Sequence, residues 1–175
     1  MSAEVQEKWL KWVALTTTIL AVCASFASMK GGGYSTQVQL MTTQESDRWS
    51  YFEAKSIKLH LSEMERDILK VDVLSISDPA VKNEVQGKVK VLEDNISRYN
   101  KEKDAIKNEA DNLSSQQGVL KRHGGNFGLA VMFFQISIML SAIGSLLKQR
   151  SAWLFGLAIG FVGLVYFLNG FYLFF

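Results

Sequence analysis

Cysteine, proline and histidine are nearly absent from this chain, which has one Cys, one Pro and two His among 175 residues. A single cysteine excludes an internal disulfide, and so few histidines make a His/Cys metal cluster within one chain implausible. The sequence also lacks a Walker-type phosphate loop, a GxGxxG motif and a nucleophile elbow. We therefore expect no enzyme activity, no cofactor and no metal.

Charged side chains are missing from three long stretches of the sequence. Asp, Glu, Lys and Arg do not occur at residues 12–29, 123–147 and 151–175. An apolar run of about 20 residues is long enough to cross a bilayer as a helix. The predicted spans are residues 9–29, 127–147 and 152–174. The first run could also be a secretory signal peptide, but its length favours a retained anchor.

Between the first and second spans, apolar residues recur three and four positions apart, which predicts helices that pack along narrow seams. The first seam consists of Ile57, Leu61, Met64, Ile68 and Val71, and the second includes Val85, Val89, Leu92, Ile96, Tyr99, Ile106, Ala110 and Leu113. Between them, Asp78 can cap a new helix and Pro79 suits its first turn. Helices joined by so short a turn are expected to pack antiparallel.

The expected fold is therefore an all-α membrane protein. A long antiparallel helical hairpin, a coiled-coil-like stalk, lies between the first and second of three transmembrane helices. The hairpin is too thin to bury a globular core, so it must be elongated or oligomeric. Because this middle region carries no formal excess of charge, nucleic acid is not an expected partner. The expected partners are membrane lipids, further copies of the chain or another membrane protein complex.

Glycine clusters border the predicted hairpin. Gly31, Gly32 and Gly33 follow the first span, and Gly124 and Gly125 precede the second. Glycine is costly inside helices and permissive at bends, so these residues are either hinges or C-cap and loop glycines, and the sequence leaves both open. The predicted segments are an N-terminal anchor, an extramembrane hairpin and a transmembrane hairpin, at residues 1–30, 31–125 and 126–175.

The start of the hairpin combines a helix signal with aromatic residues. Residues 42–45 have the form of a capping box, which predicts that the first long helix begins there. Trp49 and Phe52 lie one turn apart and offset from the seam, so they form either a subunit or partner interface or the filling of a wider bundle base. The candidate interface residues are Trp49, Phe52, Ile57, Leu61, Met64, Leu92, Ile96 and Tyr99.

Several segments of the chain resemble one known family. They are residues 8–17 (KWLKWVALTT), residues 46–58 (SDRWSYFEAKSIK), residues 134–136 (FQI) and the glycine-rich last span. The sequence is similar over nearly its whole length to an uncharacterised family of bacterial membrane proteins, catalogued as domain of unknown function 4337. It departs from relatives at the N-terminus, where they tend to carry a longer acidic leader. The resemblance implies a three-span membrane protein with a helical insert and supplies no activity.

Small residues recur at helical spacing in all three predicted spans. Small side chains let helix backbones approach closely in lipid, where no hydrophobic drive is available. The candidate transmembrane packing residues are Thr17, Ala21 and Ser25 in the first span, Ser137, Ser141 and Ser145 in the second, and Gly156, Gly160 and Gly163 in the third.

The distribution of basic residues predicts the orientation in the membrane. The chain is expected to be in a bacterial inner membrane. Four basic residues near the spans lie on one side of that membrane and three lie on the other. The two groups are Lys8, Lys11, Lys148 and Arg150, and Lys30, Lys121 and Arg122. The larger group favours a cytoplasmic N-terminus and a periplasmic hairpin.

Three functions fit this architecture. The first is a structural or scaffold protein that forms a homo-oligomer through its helical stalks and small-residue transmembrane faces. The second is a sensor or regulatory accessory subunit of a membrane complex. The third is a pore or transporter component lined by Ser137, Ser141, Ser145 and Asn169.

Overall fold

The structure, a computed structural model, describes the backbone of residues 3–174 and the side chains of residues 9–174. The side chain of Lys8, on which the predicted orientation partly depends, is outside this described range. The described backbone forms three α-helices: α1 (Ala3–Ser75), α2 (Pro79–Leu146) and α3 (Arg150–Tyr172). The described residues contain no strand, so the expectation of an all-helical protein is confirmed.

Both connections between helices are short and are held by local hydrogen bonds. The carboxylate of Asp78 accepts a hydrogen bond from the Ala80 N–H at 2.8 Å, and α2 begins at Pro79, as the sequence predicts. After α2, the Gln149 N–H donates back into the last helical turn at 2.9 Å, and Lys148 has a φ of 52°. This is a Schellman-type helix end in which a lysine occupies the left-handed position that favours glycine.

The prediction that the first long helix begins at residues 42–45 is wrong. α1 runs from Ala3 to Ser75 without a break. The N–H groups of residues 42–45 therefore lie in the helix interior, and only the first turn of a helix has free N–H groups to cap.

The two glycine clusters are also helical, and no glycine in the described part of the chain has a positive φ. The predicted segment boundaries after residues 30 and 125 consequently fall inside α1 and α2. Glycine costs only about 1 kcal/mol in a helix interior, so long helices with other stabilising contacts can contain it.

Contacts between helices divide the chain into two compact units. Unit 1 comprises Met1–Leu40 and Gln117–Phe175, and unit 2 comprises Met41–Gln116. Both α1 and α2 contribute to each unit, whereas α3 belongs to unit 1 alone. The buried core of unit 1 is a cluster of Ala27, Phe127, Ala130 and Phe134.

All three helices are long and apolar enough to cross a membrane, as judged by length and composition. This finding is compatible with a membrane protein and agrees with the three charge-free stretches of the sequence.

Candidate functional site

In unit 1, aromatic rings of α2 lie against glycines of α3. A Cβ atom at Gly170 would come within 3.0 Å of the Phe127 ring, and one at Gly163 would lie 2.9 Å from Cδ1 of Phe134. The two contacts are seven residues apart on each helix and run in opposite directions, so the helices are antiparallel here. Larger residues at these glycines would force the helices apart.

The same interface continues through the predicted serine face. The Ser137 hydroxyl donates a hydrogen bond to the Gly156 carbonyl at 2.6 Å. A Cβ atom at Gly160 would lie 2.8 Å from Ser137 Oγ. Ser137 and Ser141 are fully buried, and Ser145 is half-buried. The structure thus brings the predicted serine row of α2 and the predicted glycines of α3 together within one chain.

α1 packs onto α2 and α3 through a face different from its predicted small-residue face. The Trp153 indole N–H donates to the Thr16 hydroxyl at 3.2 Å, and Ala27 is fully buried in the core cluster. Thr17 is half-buried, but Ala21 and Ser25 are exposed. Two of these three predicted packing residues are therefore on the exposed side of α1.

Two of the five predicted hinge glycines are packing positions between α1 and α2. A Cβ atom at Gly31 would lie 3.3 Å from Cβ of Phe127, and one at Gly124 would lie 3.4 Å from Cβ of Tyr34. Open space surrounds the other three, Gly32, Gly33 and Gly125. Articulation at these clusters stays a prediction, because a continuous helix does not show how far it bends.

Next to these glycines lies an aromatic group that sequence reasoning missed. The Tyr34 ring stacks on His123 and on Phe127, with centroids 5.0 and 5.9 Å apart. The Nδ1 atom of His123 lies 2.7 Å from the Gly170 carbonyl oxygen. The sequence signals for this group are weak: Tyr34 lies one turn after Gly31, and His123 lies beside Gly124.

In unit 2, three ion pairs join the segments of α1 and α2. They are Arg48–Glu109 at 3.1 Å, Lys55–Glu102, and Lys70–Glu93 at 2.7 Å. Because residue numbers rise along α1 as they fall along α2, the two segments run antiparallel within this unit.

The ion pairs shift the pKa values of their members. The hydrogen bond from Lys55 lowers the pKa of Glu102 below its ordinary value and raises that of Lys55 in return. The hydrogen bond from Lys70 likewise lowers the pKa of Glu93. The Lys55–Glu102 pair is the more enclosed of the two, since its side chains are only 14% and 36% exposed.

The first seam does not pack against α2, and the assignment of Ile57, Leu61 and Met64 to a subunit interface stays a prediction. Ile57, Leu61 and Met64 are 61%, 58% and 60% exposed, whereas Leu59 is 3% exposed. Lys55 lies one helical turn before Leu59, and its ion pair places this side of α1 against α2. The apolar seam of α1 therefore faces away from α2.

The second seam lies on the packed face of α2, as its spacing predicts. Leu92, Ile106 and Ala110 are buried, and Ile96 and Tyr99 are half-buried. Their assignment to a subunit interface stays a prediction, because these contacts are made within one chain.

Trp49 and Phe52 pack against each other and are both half-buried. Their rings meet edge to face with centroids 5.4 Å apart. The Lys103 ammonium lies 5.3 Å from the centroid of the Phe52 ring. These contacts support the interpretation that the two aromatics fill space between the segments of unit 2.

No group of three or more His, Cys, Asp or Glu side chains in the described residues could hold a metal ion.

The model of one family, described as a domain of unknown function (DUF4337), matches residues 9–173. The chain belongs to the DUF4337 family. No curated protein and no solved structure matches this DUF4337 chain.

Proposed function

We propose that this DUF4337 protein is a membrane-anchored scaffold that assembles as a homo-oligomer, with unit 2 as an antiparallel hairpin outside the bilayer. The observation that carries this proposal is the exposed apolar seam of α1 in unit 2. A single chain leaves this seam bare, while the opposite side of α1 contacts α2. A heptad of large apolar side chains on a helix is typical of contact with another helix.

Insertion of unit 1 into a membrane is supported by its surface. The exposed large apolar side chains there include Leu15, Ile19, Val22, Phe26, Met139, Phe155, Phe161 and Leu168. Soluble monomers rarely expose so large a contiguous apolar surface, and lipid tails would cover it without cost.

The proposed location is the bacterial inner membrane, with the hairpin in the periplasm. The rings of Trp9 and Trp153 lie 6.3 Å apart, and the Arg150 guanidinium lies 5.7 Å from the Trp9 ring. Aromatic rings with a basic residue are typical of a membrane interface, and excess basic charge favours the cytoplasmic side.

A pore lined by the serine face has less support than a scaffold. Ser137, Ser141 and Asn169 are fully buried in unit 1. A water-filled path along them would require α2 and α3 to separate and the Ser137–Gly156 hydrogen bond to break.

Co-purification from a cell that makes two differently tagged copies tests the proposal. Capture of one tag should recover the other copy in amounts close to its own, even after the detergent extract is diluted. Mixing extracts from two singly tagged cultures controls for association after lysis. Recovery of one tag alone would contradict homo-oligomer formation, and recovery with other proteins instead would favour the accessory-subunit function.

A further inference from the structure

The outward face of α1 in unit 2 carries a continuous apolar row, here called the outer stripe. Its members are Ala54, Ile57, Leu61, Met64, Ile68 and Val71. The five large members are between 57% and 67% exposed. The side of α1 that contacts α2 is more polar, because it includes Lys55, Ser62 and Arg66. The more apolar seam of this helix is thus the one that its own chain leaves uncovered.

The α2 segment of unit 2 has no comparable row. Its exposed large apolar residues are Val81 and Val91, and the positions between them at heptad spacing are the charged residues Glu84 and Lys88. The outer surface of α2 therefore suits water, whereas that of α1 suits another helix. This asymmetry indicates that α1 faces the inside of an assembly and α2 the outside.

We propose that the outer stripe is the core seam of a parallel coiled coil formed by α1 helices of three or four copies of this chain. The inference rests on the proposed function, since copies inserted in a membrane with one orientation present their stripes in the same direction. Each stripe then meets an identical stripe in register, which is the arrangement that heptad spacing allows.

The residues at the two core positions of the heptad determine the number of copies. Counting sevens assigns Ala54, Leu61 and Ile68 to position a, and Ile57, Met64 and Val71 to position d. Parallel dimers favour β-branched residues at a with leucine at d. Leucine at a with isoleucine at d, or isoleucine at both, shifts the preference to trimers and tetramers. Two of the three d residues, Ile57 and Val71, are β-branched and none is leucine, which favours three or four copies over two.

Charges beside the stripe also suit a parallel arrangement. In parallel coils, position g of one helix lies near position e of the next heptad on its neighbour. Glu53 then approaches Lys58 of another copy, which is an attractive pair. His60 approaches Glu65, and this pair is attractive when the histidine is protonated. The third pair, Asp67 with Asp72, is like-charged, but Arg66 lies 2.7 Å from Asp67 within the chain and offsets this repulsion.

Cysteine cross-linking in the full-length protein tests the inference. Cys23 is first replaced by Ser, and single cysteines are then introduced by Ile57→Cys or Val71→Cys. The two sites are about 21 Å apart along the helix, and a disulfide requires Cα atoms less than about 7 Å apart. In a parallel coil each variant cross-links to itself under mild oxidation. Lys101→Cys, on the exposed side of α2, is the matched control and stays uncross-linked.

The outcomes separate this inference from the proposed function. Efficient cross-links at both positions, none at the control, and a mass of three or four copies would support it. Cross-links only when Ile57→Cys and Val71→Cys chains are mixed would show antiparallel pairing and overturn it. A mass of two copies would overturn the stoichiometry. Copies that co-purify without cross-links at either position would overturn the stripe as the interface and leave the homo-oligomer intact, whereas a monomeric mass would overturn both.

Discussion

The ring of Phe127 lies against Gly170, at a position where the Cβ atom of any other residue would come within 3.0 Å of three ring carbons. Two helical turns away, the Phe134 ring lies against Gly163 in the same way. The phenylalanine side chains of α2 and the glycines of α3, which have no side chain, therefore set how closely these two helices approach. This size complementarity sets the packing of α2 against α3 in unit 1.

The first prediction concerns the glycines of this interface. Gly163→Ala should destabilise unit 1 by about 1–3 kcal/mol, because the new Cβ atom would overlap the Phe134 ring and strain the packing. Gly128→Ala is the matched control, since open space surrounds that glycine and alanine is the better helix former. Thermal unfolding in detergent measures both. Equal melting temperatures for the two variants would show that the close contact does not limit the packing.

The second prediction compares two leucines on opposite sides of α1. Leu59→Ala should destabilise unit 2 by about 2–5 kcal/mol, because Leu59 is 3% exposed and its loss leaves a cavity. Leu61→Ala, at 58% exposure, should leave the stability of a single chain nearly unchanged but weaken the association of copies. Chemical unfolding gives the first effect and the mass in detergent gives the second. If Leu61→Ala destabilised the chain more than Leu59→Ala, the first seam would face α2.

The third prediction concerns pH and the Lys55–Glu102 pair. The pKa of Glu102 lies below its ordinary 4.5, so the stability that this carboxylate contributes is complete above pH 4.5 and is lost as pH falls through the folded-state pKa. The pKa of Lys55 lies above its ordinary 10.5, so its contribution is complete below pH 10.5 and is lost as pH rises through the folded-state pKa. Stability of unit 2 should therefore fall on both sides of this window.

Lys55→Met isolates this contribution. The stability difference between the native chain and Lys55→Met should be constant between pH 4.5 and 10.5 and should shrink below that range. Lys88→Met is the control, because the Lys88–Glu84 pair is 61% and 69% exposed and such surface pairs contribute little. A difference that does not change between pH 7 and pH 3 would exclude the ion pair as its source.

The fourth prediction concerns orientation in the membrane. In a Cys23→Ser background, Lys101→Cys should react with a membrane-impermeant maleimide in intact cells whose outer membrane has been made permeable. Gln149→Cys, in the connection between α2 and α3, should react only after the inner membrane is opened. The opposite pattern would place the hairpin in the cytoplasm. No reaction at Gln149→Cys under either condition would mean that this connection is not exposed to water on either side.

Much of the fold could be predicted from the sequence because its signals are local. The charge-free stretches indicate the apolar helix segments, and Asp78 with Pro79 indicates the start of α2. The seam of α2 was also predictable. Leu92 and Ile106 are two heptads apart, at the same heptad position, and both are buried. Gly156 and Gly163, seven residues apart, predicted a close-packed face of α3.

Other features depend on the partner helix and could not be predicted from local patterns. An apolar heptad shows that a helix has a contact face, but it does not show which neighbour covers that face. The seam that includes Leu61 predicts a contact face of α1, but the side of α1 that contacts α2 is the one with Lys55 and Leu59. The fit of Phe127 to Gly170 depends on two residues 43 positions apart, and no repeat in the sequence connects them.

The measurement that tests the central claim most directly is the mass of the protein extracted from its own membrane into lipid nanoparticles. The proposed scaffold predicts one discrete species that contains only copies of this chain, and the outer stripe predicts three or four of them. A particle with a single copy would contradict the homo-oligomeric scaffold. A particle in which one copy accompanies other proteins would contradict it as well and would identify this chain as an accessory subunit.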